Sequence, residues 1–270
     1  GYAGRIVLVG DERQPPYRRP PLSKAFLSGA CTEESLYVLQ PAALAKHNIE
    51  FIGGVRASRI DRAARKVELS DGRSLGYDKL VLATGGRARM LNTPGADKPN
   101  VFAVRTIADV DALRPYCQPG KRAVIVGGGF IGLETAAVLV KLGLKVTLLE
   151  GLPRVLARVT VPEVSTFFER VHREAGVDLR TGAGVERLDG AGRVETVVLK
   201  DGSRMPADLV VVGIGLLPNQ ELAAASGLAV DNGIVVDEYG RTADPAVYVA
   251  GDASSHYNPL LGRRLRLESW

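Results

Sequence analysis

Three glycines, Gly127, Gly129 and Gly132, stand in G-x-G-x-x-G spacing directly after the apolar run Ala123 to Val126. The first glycine permits a tight turn, the second lets a phosphate approach the backbone, and the third lets a helix lie close to a strand. The helix that follows offers unpaired N–H groups and a positive dipole end to an anion. Glu150 closes the next apolar run, 23 residues after Gly127, where a carboxylate grips a ribose diol. A carboxylate there repels an additional phosphate on the ribose, so NADH is expected over NADPH, although Arg154 and Arg158 lie nearby. A second candidate is Lys24 in "PPYRRPPLSKAFLSG", where Pro15, Pro16, Pro20 and Pro21 restrict the path to one ammonium. A helix is expected to start near Leu22, and its lysine is either a solvated residue of a helix entry or a positioned charge. Glu134 follows the glycine turn and reads equally as a helix-surface acid. Asp252 in "PAVYVAGDAS" follows a buried strand at the mouth of a helix, where it reads equally as a plain helix N-cap. Thr84 in "LATGG" reads equally as a strand-end hydroxyl.

The elements that must position these residues alternate between strand-like and helix-like runs, the pattern of a parallel α/β sheet. Residues 55–85 and 185–215 repeat one plan: strand, turn, strand, an Asp-Gly turn, then a buried strand ending in glycine. The Asp71-Gly72 and Asp201-Gly202 steps suit tight hairpins. Two copies indicate a duplicated nucleotide-binding unit. The strand "RIVLVGDE", ending in Asp11 and Glu12, corresponds to "KVTLLE" of the second copy. A glycine loop at the equivalent distance would fall about twelve residues before Gly1, so the first phosphate loop is expected to be missing. The helix in "TVPEVSTFFERVHREAG" starts at Thr160 and Pro162 and stops at Gly176, and its apolar residues Val164, Phe167, Phe168 and Val171 are expected to pack.

The 270 residues, 46% hydrophobic, suffice for one large or two ordinary domains. No apolar run approaches the roughly 20 residues of a membrane span, and no signal peptide is visible. Two cysteines, Cys31 and Cys117, exclude a disulfide framework and a local dithiol, and fit a reducing, cytoplasmic setting. The three histidines, His47, His172 and His256, lack metal-ligand spacing, and a net charge of +5 without basic–aromatic interleaving gives no case for nucleic acid.

The stretches "PPYRRPPLSKAFLSG", "LATGGRAR", "GGGFIGLE", "HREAGVDLRTG", "VYVAGD" and "RLRLESW" together resemble the FAD-dependent ferredoxin reductases of oxygenase systems, over essentially the whole chain. The resemblance implies two Rossmann-like domains of the pyridine-nucleotide oxidoreductase type, with an NADH domain (109–236) inserted into an FAD domain (1–108 and 237–270). It implies FAD and NADH as cofactors and a [2Fe–2S] ferredoxin as partner. A carboxy-terminal domain after Trp270 is expected to be missing. By the same resemblance Lys24 pairs with Glu134 and its charge faces the reactive edge of the flavin. Asp11, Ala57, Thr84, Arg105, Asp252 and Trp270 contact FAD, and the nicotinamide lies near Gly213 and Gly215. Two rival expectations stand beside it: a flavin oxidase or disulfide reductase working through Cys31, and an inactive NADH-binding fragment. Cys31 is expected at the far end of the helix after Lys24.

Overall fold

The computed structural model describes residues 4–267. The chain forms two compact units, one of residues 1–17, 37–87 and 217–270, the other of residues 18–36 and 88–216. Residues 18–36 and 88–108 fall in the second unit and residues 217–236 in the first.

The second unit is built on five parallel strands: β1 (Val101–Phe102), β2 (Arg122–Val126), β3 (Lys145–Glu150), β4 (Asp178–Thr181) and β5 (Leu209–Val212). Their spatial order is β4-β3-β2-β5-β1. Helix α1 (Ile107–Leu113) follows β1, α2 (Phe130–Lys141) links β2 to β3, and α3 (Pro162–Glu174) links β3 to β4. Four of the five residues of β2 are buried, as a central parallel strand covered on both faces requires. An antiparallel meander (Val185–Asp189, Thr196–Leu199, Arg204–Pro206) separates β4 from β5. Its Leu188, Val197 and Leu199 share one core with Val124, Val126, Val210 and Val212. Buried Asn100 fixes this layer: its amide donates to the carbonyls of Val194 and Asp208, both at 2.9 Å, and accepts from Val194 N at 2.7 Å. Asp208 in turn accepts from the backbone N (2.8 Å), Nε (2.9 Å) and Nη2 (2.9 Å) of Arg122.

The first unit repeats the plan, as the sequence repeat predicts. A meander (Ala57–Asp61, Lys66–Leu69, Ser74–Gly76) precedes the strand Leu80–Leu82, which pairs in parallel with Val247–Val249. Strands Ile6–Gly10 and Ile49–Gly53 form another parallel pair. The two Asp-Gly turns are built alike: Gly72 (φ +87) and Gly202 (φ +84) are left-handed, and Asp71 and Asp201 each accept from the N–H two residues on. That geometry is a type I turn closed by a left-handed glycine.

Two expectations about helices are corrected. No α-helix starts near Leu22; Pro20–Ser23 is a 3₁₀ turn, and a run of turns follows it. The carbonyl of Pro21 accepts from both Lys24 N (3.0 Å) and Phe26 N (2.9 Å), and Lys24 itself (φ −127°, ψ −110°) leaves helical geometry. Cys31 therefore lies two residues past the left-handed Gly29 and not at a helix end. The apolar residues of α3 do not pack as expected: Val164, Phe167 and Val171 are exposed, and the buried residues are Ser165 and His172. Hydrogen bonds set this face. His172 Nδ1 and Nε2 lie 2.8 Å from Phe168 O and 3.1 Å from Leu133 O, and Ser165 Oγ donates to Val155 O at 2.6 Å.

Candidate dinucleotide and redox site

Strand β2 ends at Val126, and the chain then turns through Gly127 to Gly129 into α2. From β2 the chain crosses to β3 on one side, while β5 and β1 lie on the other, so the sheet switches direction between β2 and β5. In open α/β sheets the crevice at the carboxyl ends of such strands is where ligands bind. The glycines divide their work there. A Cβ on Gly127 (φ +113) would stand 2.2 Å from Gly213 O, and one on Gly132 would stand 2.0 Å from Gly127 O. Both must be glycine for strand, turn and helix to close. A Cβ on Gly129 would meet nothing nearer than Gly213 O at 3.9 Å, so no protein neighbour requires glycine there. What it leaves open is the approach to the amino end of α2. That helix starts at Gly129 with no side-chain cap and no acid in its first turn. The turn therefore fits a dinucleotide pyrophosphate.

Glu150 ends β3, and both its oxygens hold backbone: Oε2 accepts from Gly128 N at 2.6 Å and Oε1 from Leu152 N at 2.8 Å. Each carboxylate oxygen retains a lone pair for a ribose hydroxyl. Arg154 donates to Ser165 Oγ (2.7 Å) on α3 and to Ala157 O (3.1 Å) in its own loop, so its guanidinium is committed. Gly213 follows β5 and donates its N–H to Val126 O at 2.8 Å. Gly215 (φ +111) has open space where a Cβ would be, and its carbonyl accepts from Arg89 N.

Lys24 and Glu134 belong to the same unit and meet: Nζ lies 2.7 Å from Oε2, and it also donates to Pro20 O at 3.2 Å. The same Glu134 oxygen accepts from Ser23 Oγ at 2.5 Å. Glu134 stands one turn into α2, the helix that starts at the glycine turn, so one short helix carries both features. Ser23 is 1% exposed; its pairing with Glu134 has no periodic signature and follows only from the fold.

The remaining expected residues are distributed as follows. In the first unit Thr84 lies two residues past Leu80–Leu82 and Asp252 three past Val247–Val249, the carboxyl ends of neighbouring parallel strands, a placement suited to a cofactor. Thr84 Oγ1 donates to Asn219 O at 2.7 Å. Asp252 is not an N-cap: the cap position is Ala250, and Asp252 sits inside a three-residue 3₁₀ turn. Asp11, directly after Ile6–Gly10, pairs with Arg56 (Nη2–Oδ2 2.9 Å), and Ala57 begins the neighbouring meander. In the second unit Arg105 precedes α1; its N–H donates to Asp109 Oδ2 at 3.0 Å and its carbonyl accepts from Arg19 Nη1 at 2.6 Å. Trp270 lies outside the described residues.

Both cysteines are free, and burial pushes the Cys117 thiol up to about 11, which leaves it protonated and inert at neutral pH. Among the described residues no cluster of histidine, cysteine and carboxylate could hold a metal ion, and no helix is long and apolar enough to cross a membrane.

The chain is 49% identical to putidaredoxin reductase CamA of Pseudomonas putida over 275 aligned residues, covering 100% of this chain and 65% of that protein. It is 44% identical to rhodocoxin reductase of Rhodococcus erythropolis, covering 100% of this chain and 63% of that protein. Among solved structures, that of the covalent putidaredoxin reductase–putidaredoxin complex superposes with a TM-score of 0.96 at 48% identity, covering 100% of this chain and 66% of that one. The chain thus spans about two thirds of the length of these relatives. The pyridine nucleotide-disulphide oxidoreductase family matches residues 2–269, and this chain belongs to that family.

Proposed function

We propose that this chain is the core of an NADH-dependent flavoprotein reductase that passes electrons from NADH through FAD to a [2Fe–2S] ferredoxin serving an oxygenase. The observation that carries the reading is the Lys24–Glu134 pair at 2.7 Å, one turn along the helix that begins at the glycine turn. FAD, when bound, accepts a hydride from NADH and releases the two electrons singly. The chain supplies the rest. The N–H groups at the start of α2 hold the pyrophosphate, Glu150 holds the adenosine ribose, and Gly213 to Gly215 flank the nicotinamide. Glu150 favours NADH over NADPH, and the commitment of Arg154 to Ser165 and Ala157 removes one cation from the service of a 2′-phosphate. Asp11, Ala57, Thr84, Arg105, Asp252 and Trp270 are assigned to FAD.

Lys24 would provide a fixed positive charge to a bound flavin, suited to stabilising negative charge on its reduced form. Such stabilisation is effective because the donor is oriented before the reaction and needs no reorganisation. Two contacts orient it, the Glu134 carboxylate and the Pro20 carbonyl, and the Ser23 hydroxyl holds Glu134 in turn. By cofactor, residues 109–236 are assigned to NADH and residues 1–108 and 237–270 to FAD. The ferredoxin partner is supported by the relatives, one of which is solved in covalent complex with putidaredoxin. The free cysteines support a cytoplasmic setting.

The test is direct. Protein supplied with FAD is expected to become yellow, to bleach on addition of NADH, and to reduce cytochrome c only when a [2Fe–2S] ferredoxin is added. Protein that takes up no flavin, or whose flavin ignores NADH, contradicts the reading.

A further inference from the structure

The middle glycine of the turn, Gly128, is gripped at both ends of its residue. Its N–H donates to Glu150 Oε2 at 2.6 Å, and its carbonyl accepts from Leu156 N at 2.9 Å. Leu156 reaches that carbonyl in a left-handed conformation, φ +53, although it is a leucine and 3% exposed. A residue with a Cβ is disfavoured there and stays only where its surroundings over-determine it. They do. The Leu156 carbonyl accepts from Val159 N and Thr160 N, and Val155, fully buried, lies against Gly128 so closely that a Cβ on that glycine would stand 2.9 Å from Val155 Cγ1.

The segment carrying Leu156 is itself tied to α3. Ser165, fully buried in that helix, donates to Val155 O at 2.6 Å and accepts from Arg154 Nη1 at 2.7 Å. Glu169, one turn later, accepts from Val155 N at 3.3 Å. A polar residue in the buried face of α3 is costly unless its bonds are made; the two short bonds of Ser165 end on the loop that holds Gly128, and its hydroxyl also lies 3.5 Å from Val161 O at the start of its own helix.

We propose that Leu156 is a positioning residue for the pyrophosphate turn, and that Ser165 sets Leu156 in place from the far side of the loop. The inference rests on the reading that this turn takes NADH. The brace fixes the Gly128 peptide before ligand arrives, so the open N–H groups beyond Gly129 are presented in one arrangement. Preorganisation of that kind appears as affinity, because ordering is not left to the binding step.

The test is calorimetric titration of NADH, with hydrogen exchange at the Gly128 amide in the ligand-free protein, for wild type and Ser165→Ala. Loss of the hydroxyl is expected to weaken NADH binding about fivefold, the equivalent of one hydrogen bond, and to speed Gly128 exchange. Ser255→Ala, at a buried serine of the first unit, serves as the control for general destabilisation and is expected to change neither. Should Ser165→Ala fail to fold, Glu169→Ala removes the weaker contact to Val155 N and is expected to shift both readouts in the same direction by a smaller factor. Unaltered affinity and exchange in a folded variant with a lowered melting temperature would overturn the brace. A wild-type protein that does not bind NADH removes the reading of the turn and the brace with it.

Discussion

Alanine at position 129 and alanine at position 132 should have opposite consequences, although both replace a glycine of one motif. A Cβ at 132 would lie 2.0 Å from Gly127 O, and the partner atom is backbone that no rotamer can move. To restore an ordinary contact α2 must retreat from β2 by ~1 Å or more. Overpacking of that kind costs roughly 1–3 kcal/mol, which for a unit of this size lowers the melting temperature by about 3–10 °C. At 129 the nearest atom is 3.9 Å away, and φ −81 with ψ −178 is allowed for alanine. Loss of the glycine at the N-cap costs about 0.5 kcal/mol, which a stiffer unfolded chain offsets by a similar amount. Gly129→Ala should therefore melt within about 2 °C of wild type. Its methyl nevertheless stands where a pyrophosphate must reach the helix end, and NADH binding should weaken at least tenfold, about 1.4 kcal/mol. Differential scanning calorimetry and NADH titration on the same preparations separate the two effects. If Gly129→Ala binds NADH like wild type, or Gly132→Ala melts with wild type, the division of labour among the glycines is wrong.

Two further outcomes follow from the site and the core. The three bonds from Arg122, the side-chain bonds foremost, hold the Asp208 carboxyl down at about 2, against an ordinary 3.8. A depressed carboxyl adds stability above the unfolded pKa and loses it as pH falls through the folded one, here between about 4 and 2. Because Arg122 is half-exposed, the contribution is discounted to about 1 kcal/mol. Asp208→Asn should thus be less stable than wild type by denaturant unfolding at pH 7 and nearly equal at pH 2; a gap that persists in acid refutes the assignment. Cys31→Ala should retain NADH oxidation and ferredoxin reduction in full, since the proposed route needs no thiol; a loss of turnover would instead support thiol chemistry near the flavin.

The glycine turn was legible because its spacing belongs to one short strand–turn–helix: a Cβ on Gly132 would meet Gly127 O five residues back, although Gly127 itself is barred from a side chain by Gly213 O, far along the chain. The duplicated meander was legible for a similar reason, since each Asp-Gly turn closes within five residues. Lys24 and Glu134 were reached only through resemblance, as residues far apart in sequence meet through a fold and not through a period. Periodicity misled at α3. Its exposed Val164, Phe167 and Val171 outnumber the inward residues, and Ser165 and His172 are buried because hydrogen bonds to Val155, Phe168 and Leu133 compensate them. No helix forms in the run after Pro20 because the backbone of Lys24, at φ −127° and ψ −110°, leaves helical geometry. Leu156 carries no signal at all: a left-handed leucine is specified by the loop around it.

The central claim is that the Lys24 ammonium, aimed by Glu134, promotes hydride transfer into the flavin. Rapid-mixing absorbance of FAD-loaded protein with saturating NADH tests it by comparing flavin bleaching in wild type and Lys24→Met. Loss of one preorganised charge should slow bleaching about a hundredfold, while NADH affinity measured separately stays near wild type. Bleaching at the wild-type rate in Lys24→Met would contradict the account.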